Sequence, residues 1–243
     1  TSYSKTKKLR AIHSSETNES MRTITITGSE GLIGSELCNF FEKTDNVKKL
    51  DLALGHDLAD ESFVKKWFKD NPTTYLINCF AMNDHGNSKT TLFDFSLDYF
   101  NDYLKINLTS LFSVCREFAR NNNNGAIVNF SSIYGMVSPR PTLYDGAHKD
   151  IGYCVSKEGV INMTKYLAIH LAPNLRVNCV VPGGVGNDVK TLSNIDNEYS
   201  KLTPMKRMMK KYELNGIIDF LCSEKSSYVT GSSYVVDGGF TSW

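Results

Sequence analysis

Short apolar runs alternate with longer amphipathic stretches along the chain from residue 21 onward. The runs have the length of strands and are rich in β-branched residues, whereas the stretches repeat their apolar positions at helical spacing. The runs are "TITIT", "VKKLDL", "TYLINCF", "GAIVNFSS", "RVNCVVPG" and "SYVVDGG". This alternation is typical of βαβ units. It predicts one α/β domain over residues 21–243, with a doubly wound parallel sheet of about seven strands and helices on both faces.

Residues 1–20 are polar and lack this pattern. They contain no apolar core of the kind found in a signal peptide. We expect a polar N-terminal extension, either native or an added leader, ahead of the folded domain.

The composition favours small-molecule chemistry over binding to a polymer or a lipid surface. The 27 basic and 26 acidic residues leave a net charge of +1, and the basic residues form no long stripe. We therefore expect no nucleic acid and no membrane as partner. The six cysteines show no metal-ligand or redox spacing. Free thiols, no metal site and a cytoplasmic location are the corresponding expectations.

Three glycines follow the first predicted strand at intervals of three. Gly28, Gly31 and Gly34 stand in "TGSEGLIG", between "TITIT" and the amphipathic "SELCNFFEK". Glycines at such a junction allow a tight turn and let a phosphate reach backbone N–H groups at a helix N-terminus. In an open α/β sheet this is where the pyrophosphate of a dinucleotide binds. The pattern therefore predicts a dinucleotide site.

Asp51 supplies an independent test of that prediction. It ends the second predicted strand in "VKKLDL", about 20 residues after the glycines, where a dinucleotide fold places the acid that binds the adenosine ribose. A carboxylate accepts hydrogen bonds from the ribose hydroxyls and repels a 2′-phosphate. The sequence thus predicts NAD rather than NADP, unless Asp51 is merely a solvated acid.

Tyr153 and Lys157 lie four residues apart in "GYCVSKEGV", so their side chains share one face of a predicted helix. Tyrosine, with an ordinary pKa of about 10, is a poor base at neutral pH, but a nearby lysine cation lowers that pKa. The spacing alone is weak, because Tyr3 and Lys7 repeat it in the polar extension. Only the later pair follows a strand that ends in polar residues, "GAIVNFSS", at the edge of the sheet where ligands bind.

The motifs of this chain resemble, in order, those of short-chain dehydrogenases/reductases. They are T-G-x-x-G-x-x-G, an acid after the second strand, "INCFA", "KINLTSLF", "IVNFSS", Y-x-x-x-K, "RVNCVVPGG" and "YVTGSSYVVDGG". The resemblance runs from about residue 21 to 243. It implies a single-domain Rossmann fold, an oxidoreductase that interconverts alcohols and ketones with a nicotinamide cofactor, and a homo-oligomer, either a tetramer or a dimer.

The resemblance also implies roles for individual catalytic residues. Tyr153 matches the proton-transfer group and Lys157 the lysine that assists it and holds the nicotinamide ribose. Ser132 matches the serine that orients the carbonyl, although Ser131 is an alternative because adjacent strand residues face opposite ways. Asn107 in "KINLT" matches the asparagine that seats a water for proton relay, or else it is a polar residue that kinks a helix.

Cofactor contacts carry over in the same manner. The glycine turn and the first helical residues meet the pyrophosphate, an acid and apolar pair in "GHDL" lies near the adenine, and the turn after "RVNCVV" meets the carboxamide. Besides Gly28, Gly31, Gly34, Asp51, Tyr153 and Lys157, the implied cofactor residues are Leu32, Ile33, Asp57, Leu58, Asn78, Pro182, Gly183 and Val185.

The chain departs from the family pattern between Ser132 and Tyr153. The 21-residue separation is longer than usual, and it holds two prolines and the candidate substrate residues Arg140, Tyr144, His148 and Lys149. This loop resembles that of flagellin-modification or nonulosonic-acid-pathway oxidoreductases. It favours a polar, for example sugar-derived, substrate, unless it is a surface insertion without function.

Two other functions stay open. A reductase of carrier-bound 3-oxoacyl chains would prefer NADPH and a basic docking patch, and Asp51 argues against NADPH. A redox sensor or scaffold that binds NAD without turnover would not need the complete set of Asn107, Ser132, Tyr153 and Lys157.

We predict that NADH binds more tightly than NADPH, because the Asp51 carboxylate repels the 2′-phosphate. Replacing Asp51 by Ala should narrow the difference between the two affinities, chiefly by weakening the binding of NADH. Titration of both reduced cofactors against the protein measures this, and tighter NADPH binding to the wild type would contradict it.

Overall fold

Six parallel strands form one sheet in the computed structural model, which describes residues 21–83, 92–144, 148–186 and 194–243. The strands are β1 (Thr23–Thr27), β2 (Asn46–Leu50), β3 (Tyr75–Asn78), β4 (Gly125–Phe130), β5 (Leu175–Pro182) and β6 (Ser233–Val236). Their spatial order is β2-β1-β3-β4-β5-β6, and every neighbouring pair is parallel. The chain moves outward from β1 to β2 and then returns to the other side of β1. The carboxyl ends of β1 and β3 therefore form the crevice at which an open α/β sheet binds ligands.

Helices cover both faces of this sheet. They are α1 (Leu32–Phe41), α2 (Glu61–Asp70), α3 (Leu97–Leu104), α4 (Leu111–Arg120), α5 (Ile151–Leu171), α6 (Asn194–Leu202) and α7 (Asn215–Leu221). Side chains of α1 and α7 pack on one face and those of α2, α4 and α5 on the other. Because successive strand residues point to opposite faces, β4 alternates between the two cores, with Val128 in one and Ile127 in the other. No helix among the described residues has the length and apolar character needed to cross a membrane.

A chain of buried polar side chains crosses the central strands near their carboxyl ends. Thr27 donates to the Asn78 amide oxygen at 3.2 Å, the Asn78 amide nitrogen donates to Asn129 at 2.9 Å, and Asn129 donates to the Thr164 hydroxyl of α5 at 3.1 Å. All four residues are at most 2 % exposed. Buried polar groups are costly unless they are paired, so this network fixes the relative position of β1, β3, β4 and α5.

The predicted α/β architecture is confirmed, with two differences in detail. The described residues form six strands rather than about seven. Each of the six apolar runs makes one strand, and the ten residues between β2 and α2 are too few for another strand with its crossover. The first helix, expected from Ser35, begins three residues earlier, directly after Gly31. The polar extension, residues 1–20, lies outside the described residues.

Replacing Thr164 by Val should lower the free energy of unfolding by about 1–3 kcal/mol, because the Asn129 amide would lose its acceptor in a dry interior. Thr25→Val is the matched control. Thr25 is 0 % exposed, and its hydroxyl has no hydrogen-bond partner in the described part of the chain. That substitution should leave stability unchanged or raise it. Urea unfolding measures both, and equal losses in the two variants would contradict the assignment.

Candidate active site

The glycine turn packs directly against the chain that leaves β3. Gly28 has a φ of +64°, and a Cβ added there would lie 2.5 Å from the backbone nitrogen of Phe80. A Cβ on Gly34 would lie 2.0 Å from the Gly28 carbonyl oxygen, so both positions exclude any other residue. Gly31 precedes α1 in an extended conformation with no side-chain cap. The amides at the start of α1, at Leu32 and Ile33, are therefore available to an anion, which fits a dinucleotide pyrophosphate.

Asp51 ties the end of β2 to this turn. One carboxylate oxygen accepts from the Glu30 backbone N–H at 3.0 Å, and the other accepts from the Ala53 N–H at 2.8 Å. The first bond anchors the carboxylate beside the glycine turn. Asp51 is thus fixed at the crevice rather than loosely solvated, and its proposed contact to a ribose would share oxygens that already hold the backbone.

The structure turns two further candidate cofactor side chains away from the crevice. Leu58 is 7 % exposed and packs in the core beneath α2 and α4. The Asn78 amide belongs to the buried network, so its proposed cofactor contact could be made only by the backbone. Asp57 is exposed, and its carboxylate accepts from the Ala59 N–H at 2.9 Å.

The turn after β5 is fixed by close packing. A Cβ on Gly183 would lie 2.6 Å from the Tyr199 hydroxyl and 2.9 Å from the backbone Cα of Asp237, so a larger residue would require both neighbours to shift. Pro182 ends β5, and Val185 forms a parallel bridge with Met209. These contacts hold the turn at the carboxyl edge of the sheet, on the side of the crevice next to β4.

Ser132, Tyr153 and Lys157 meet at the carboxyl end of β4. Ser132 follows the strand, while Tyr153 and Lys157 lie in the first two turns of α5. The Ser132 hydroxyl lies close enough to the Tyr153 phenol to lower its pKa, and all three residues are at most 8 % exposed. The Lys157 ammonium donates to the Phe130 carbonyl at 3.0 Å and lies 5.6 Å from the centre of the Tyr153 ring.

Ser131 serves a different purpose from Ser132. Its hydroxyl donates to the Lys157 backbone carbonyl at 2.6 Å, which binds the end of β4 to α5. Of the two neighbouring serines, Ser132 therefore faces the phenol, as adjacent strand residues that point in opposite directions require.

Burial dominates the ionisation of the reactive pair. Desolvation raises the pKa of Tyr153 to about 12, and the hydrogen bond with Ser132 offsets only part of that rise. Desolvation also lowers the pKa of Lys157 to about 8. The expected lowering of the Tyr153 pKa is therefore not found, because removing the phenolate from water outweighs the attraction of a lysine 5.6 Å away.

Asn107 lies in a π-helical segment, Lys105–Ser110, that joins α3 to α4. Its amide oxygen accepts from the Met82 N–H at 2.7 Å, and its amide nitrogen donates to the Met82 carbonyl and the Ser156 hydroxyl, each at 3.0 Å. Ser156 in turn donates to the Tyr153 carbonyl at 2.7 Å. Asn107 thereby couples the chain after β3 to the helix that carries the reactive pair.

A cleft of about 340 Å³ lies between the start of α5 and the long loop before it. Ser132, Tyr153 and Lys157 are not among its described lining residues, and Tyr153 adjoins it through Lys149, whose ammonium lies 4.3 Å from the centre of the Tyr153 ring. Its described walls are mostly apolar, and the polar contribution comes from Ser138, Tyr144, His148, Lys149 and Asp150. The lining residues are Leu92, Phe95, Ser138, Pro139, Pro141, Tyr144, His148, Lys149, Asp150, Ile151 and Cys154.

Three of the four candidate substrate residues line this cleft. They are Tyr144, His148 and Lys149, whereas Arg140 is exposed and is not among the described lining residues. Tyr144 donates to the Tyr134 hydroxyl at 2.7 Å, and burial raises the pKa of both phenols. Described residues of the loop therefore form part of the wall of this cleft.

Sequence reasoning did not find the pair of Tyr103 and Asp150. The Tyr103 hydroxyl donates to the Asp150 carboxylate at 2.7 Å, directly ahead of α5, and the Tyr103 ring meets the Tyr153 ring edge-on at 6.4 Å. Tyr103 precedes Asn107 by one helical turn, and Asp150 immediately precedes the helix of Tyr153. The position of each residue next to a candidate site residue is the sequence feature from which this pair could have been predicted.

Replacing Lys157 by Met should raise the free energy of unfolding of the protein without cofactor by about 1–3 kcal/mol at pH 7. The unfolded chain holds this proton up to about pH 10.5, whereas burial lowers the pKa in the folded protein to about 8. The penalty of the buried charge is therefore complete below pH 8 and fades as the pH rises toward 10.5.

The gain from Lys157→Met should accordingly shrink between pH 8 and 10 in urea unfolding. Lys165→Met is the control, because Lys165 is an exposed lysine on the same helix. A gain that does not change with pH would contradict the desolvation argument.

Comparisons with known proteins agree with this geometry. A family model described as enoyl-(acyl carrier protein) reductase matches residues 40–241. The 3-oxoacyl-[acyl-carrier-protein] reductase of Aquifex aeolicus is 30 % identical over 224 residues, which cover 89 % of this chain and 86 % of that protein. Glucose 1-dehydrogenase of Gluconobacter oxydans is 34 % identical over 158 residues, 61 % of this chain and 56 % of that protein.

A solved structure of similar size extends the likeness to three dimensions. The short-chain dehydrogenase of Leptospira borgpetersenii with bound NAD⁺ has a TM-score of 0.79 and 30 % identity, over 91 % of this chain and 93 % of that one. The chain belongs to the short-chain dehydrogenase/reductase family of oxidoreductases, whose members bind NAD(P) and interconvert alcohols and ketones.

Proposed function

We propose that this enzyme is an NAD(H)-dependent oxidoreductase that interconverts a secondary alcohol and a ketone, with Tyr153 as the general acid and base. The observation that carries the proposal is the meeting of Tyr153, Ser132 and Lys157 at the carboxyl end of β4. A cleft large enough for a small molecule lies next to them, on the other side of Lys149. When bound, the nicotinamide supplies the hydride for reduction or accepts it in oxidation.

The residues of the chain handle the proton. In reduction the Tyr153 phenol gives its proton to the carbonyl oxygen as that oxygen gains negative charge, and in oxidation the phenolate takes the proton back. The Ser132 hydroxyl, already beside the phenol, donates a hydrogen bond to the same oxygen. Lys157 holds a positive charge close to the phenolate, and the Phe130 carbonyl keeps its ammonium in place. Asn107 secures the Tyr153 end of α5 through Ser156 and, in this proposal, seats the water that returns a proton to Tyr153.

Asp51 supports NAD as the cofactor. Its carboxylate is anchored beside the glycine turn, where a 2′-phosphate would meet a negative charge. The Leptospira relative, which is similar over most of both chains, holds NAD⁺. The remaining proposed contacts to the cofactor are made by the glycine turn, the start of α1, the loop at Asp57 and the turn after β5.

The cleft supports a compact substrate with both an apolar part and a polar or anionic group. The apolar part would lie along the walls formed by Phe95, Pro141 and Ile151, and the polar group would lie near His148 and Lys149. A hydroxylated keto compound meets this description. The mostly apolar walls are also the observation that favours the second candidate, a 3-oxoacyl chain on a carrier, which is the substrate class named for the Aquifex relative.

The test is an assay of NADH oxidation with sugar-derived ketones, nucleotide sugars carrying a keto group and acetoacetyl thioesters. We expect turnover with at least one of the hydroxylated ketones and a lower KM for it than for the thioester. Turnover of the thioester alone would replace the first substrate class by the second. Absence of turnover with every compound would contradict the proposal as stated.

Tyr153→Phe should reduce kcat by at least about a hundredfold, the usual contribution of a general acid. NADH affinity and the thermal unfolding temperature should change little, because only one oxygen atom is removed. Tyr166→Phe is the control, since Tyr166 is exposed on the same helix. Comparable kcat in wild type and Tyr153→Phe would show that another group transfers the proton.

A further inference from the structure

A second lysine lies against the Tyr153 ring. The Lys149 ammonium is 4.3 Å from the ring centre, whereas the Lys157 ammonium is 5.6 Å away. Lys149 also donates to the Asn83 amide oxygen, on the chain that follows β3. Its ammonium is therefore bound at the wall of the cleft and directed at the phenol, not only at the space a substrate would fill.

The long loop between Ser132 and Tyr153 brings this charge into place. Lys149 stands two residues before α5, and its neighbour Asp150 is held by the Tyr103 hydroxyl. That contact fixes the backbone from which Lys149 extends. The extra residues of the loop thus deliver a cation to the catalytic tyrosine.

We propose that Lys149 is a positioning residue for the reaction, whose cation holds the Tyr153 ring and stabilises its phenolate form. This inference rests on the proposed role of Tyr153 in proton transfer. A cation over an aromatic ring is attracted by the π-electrons of the ring, and the attraction grows when the hydroxyl loses its proton and the ring system becomes an anion. Because the ring is buried, water screens this interaction weakly.

Apart from the two lysines and the Ser132 hydroxyl, the surroundings of Tyr153 oppose its phenolate form. Burial is the largest effect against it, and neighbouring thiol and phenol groups add to that effect. Burial, and to a smaller extent repulsion by Lys149, makes Lys157 less readily protonated than an exposed lysine. The groups that face Tyr153 or adjoin those that do are Tyr103 of α3, Tyr134 after β4, Tyr144, Lys149 and Asp150 of the loop, and Cys154 and Lys157 of α5.

The test reads the ionisation of Tyr153 directly, without a substrate. Tyrosine is replaced throughout the protein by 3,5-difluorotyrosine, whose phenol is more acidic, so that ionisation falls within a pH range that the fold tolerates. Fluorine NMR then follows each phenol with pH, and the signal missing from Tyr153→Phe identifies Tyr153. In Lys149→Met we expect the midpoint of that signal to rise by about one pH unit, equivalent to a tenfold loss of phenolate below the midpoint.

Two variants separate charge from shape. Lys149→Arg keeps the cation, so its Tyr153 midpoint should lie closer to that of the wild type than to that of Lys149→Met. Lys165→Met removes an exposed lysine of α5 and should leave the Tyr153 midpoint unchanged. An unchanged midpoint in Lys149→Met, an equal displacement in Lys165→Met, no restoration by arginine, or no ionisation of Tyr153 in the wild type below pH 10 would each overturn the inference. The NMR titration needs no turnover, so its outcome is independent of the proposed function. Turnover that survives Tyr153→Phe would instead contradict the proposed function.

Discussion

The site depends on how α5 is held against the sheet. Three side chains on its buried side make polar contacts with neighbouring elements: Ser156 with the π-helical segment, Lys157 with the Phe130 carbonyl that ends β4, and Thr164 with the amide of the preceding residue, Asn129. Apolar packing alone would let a long helix slide or rotate on a smooth sheet face, whereas hydrogen bonds in a dry interior permit only one position. The placement of Tyr153 follows from that fixed helix.

The same burial that fixes the helix works against the ionisation of the reactive groups. Tyr153 is made a weaker acid and Lys157 a weaker base by the loss of water. A raised pKa in a tyrosine and a lowered pKa in a lysine both favour the neutral form. The folded protein therefore holds a neutral phenol beside a lysine that loses its proton more readily than an exposed one. Such opposition between stability and chemistry is usual where an enzyme prepares groups for proton transfer.

The sequence indicated those features that depend on local chemistry. The close approach of Gly28 and Gly34 to neighbouring backbone requires glycine, and the four-residue interval between Tyr153 and Lys157 follows from helical geometry. The direction in which a side chain points depends on tertiary packing instead. The interior positions of Leu58 and Asn78 therefore could not be deduced from their motifs.

The π-helical segment joins α3 and α4 into one continuous helix, and it changes the direction in which the side chains of α4 point relative to those of α3. A π turn takes in one residue more than an α turn, which rotates the residues after it by about 100° relative to an uninterrupted α-helix. Tyr103 of α3 can therefore reach Asp150 at the start of α5, while the α4 side chains Val114 and Phe118 face the core. Loss of a single residue from Lys105–Ser110 would bring α3 and α4 into one phase. The chain could then keep the core packing of α4 or the contact between Tyr103 and Asp150, but not both.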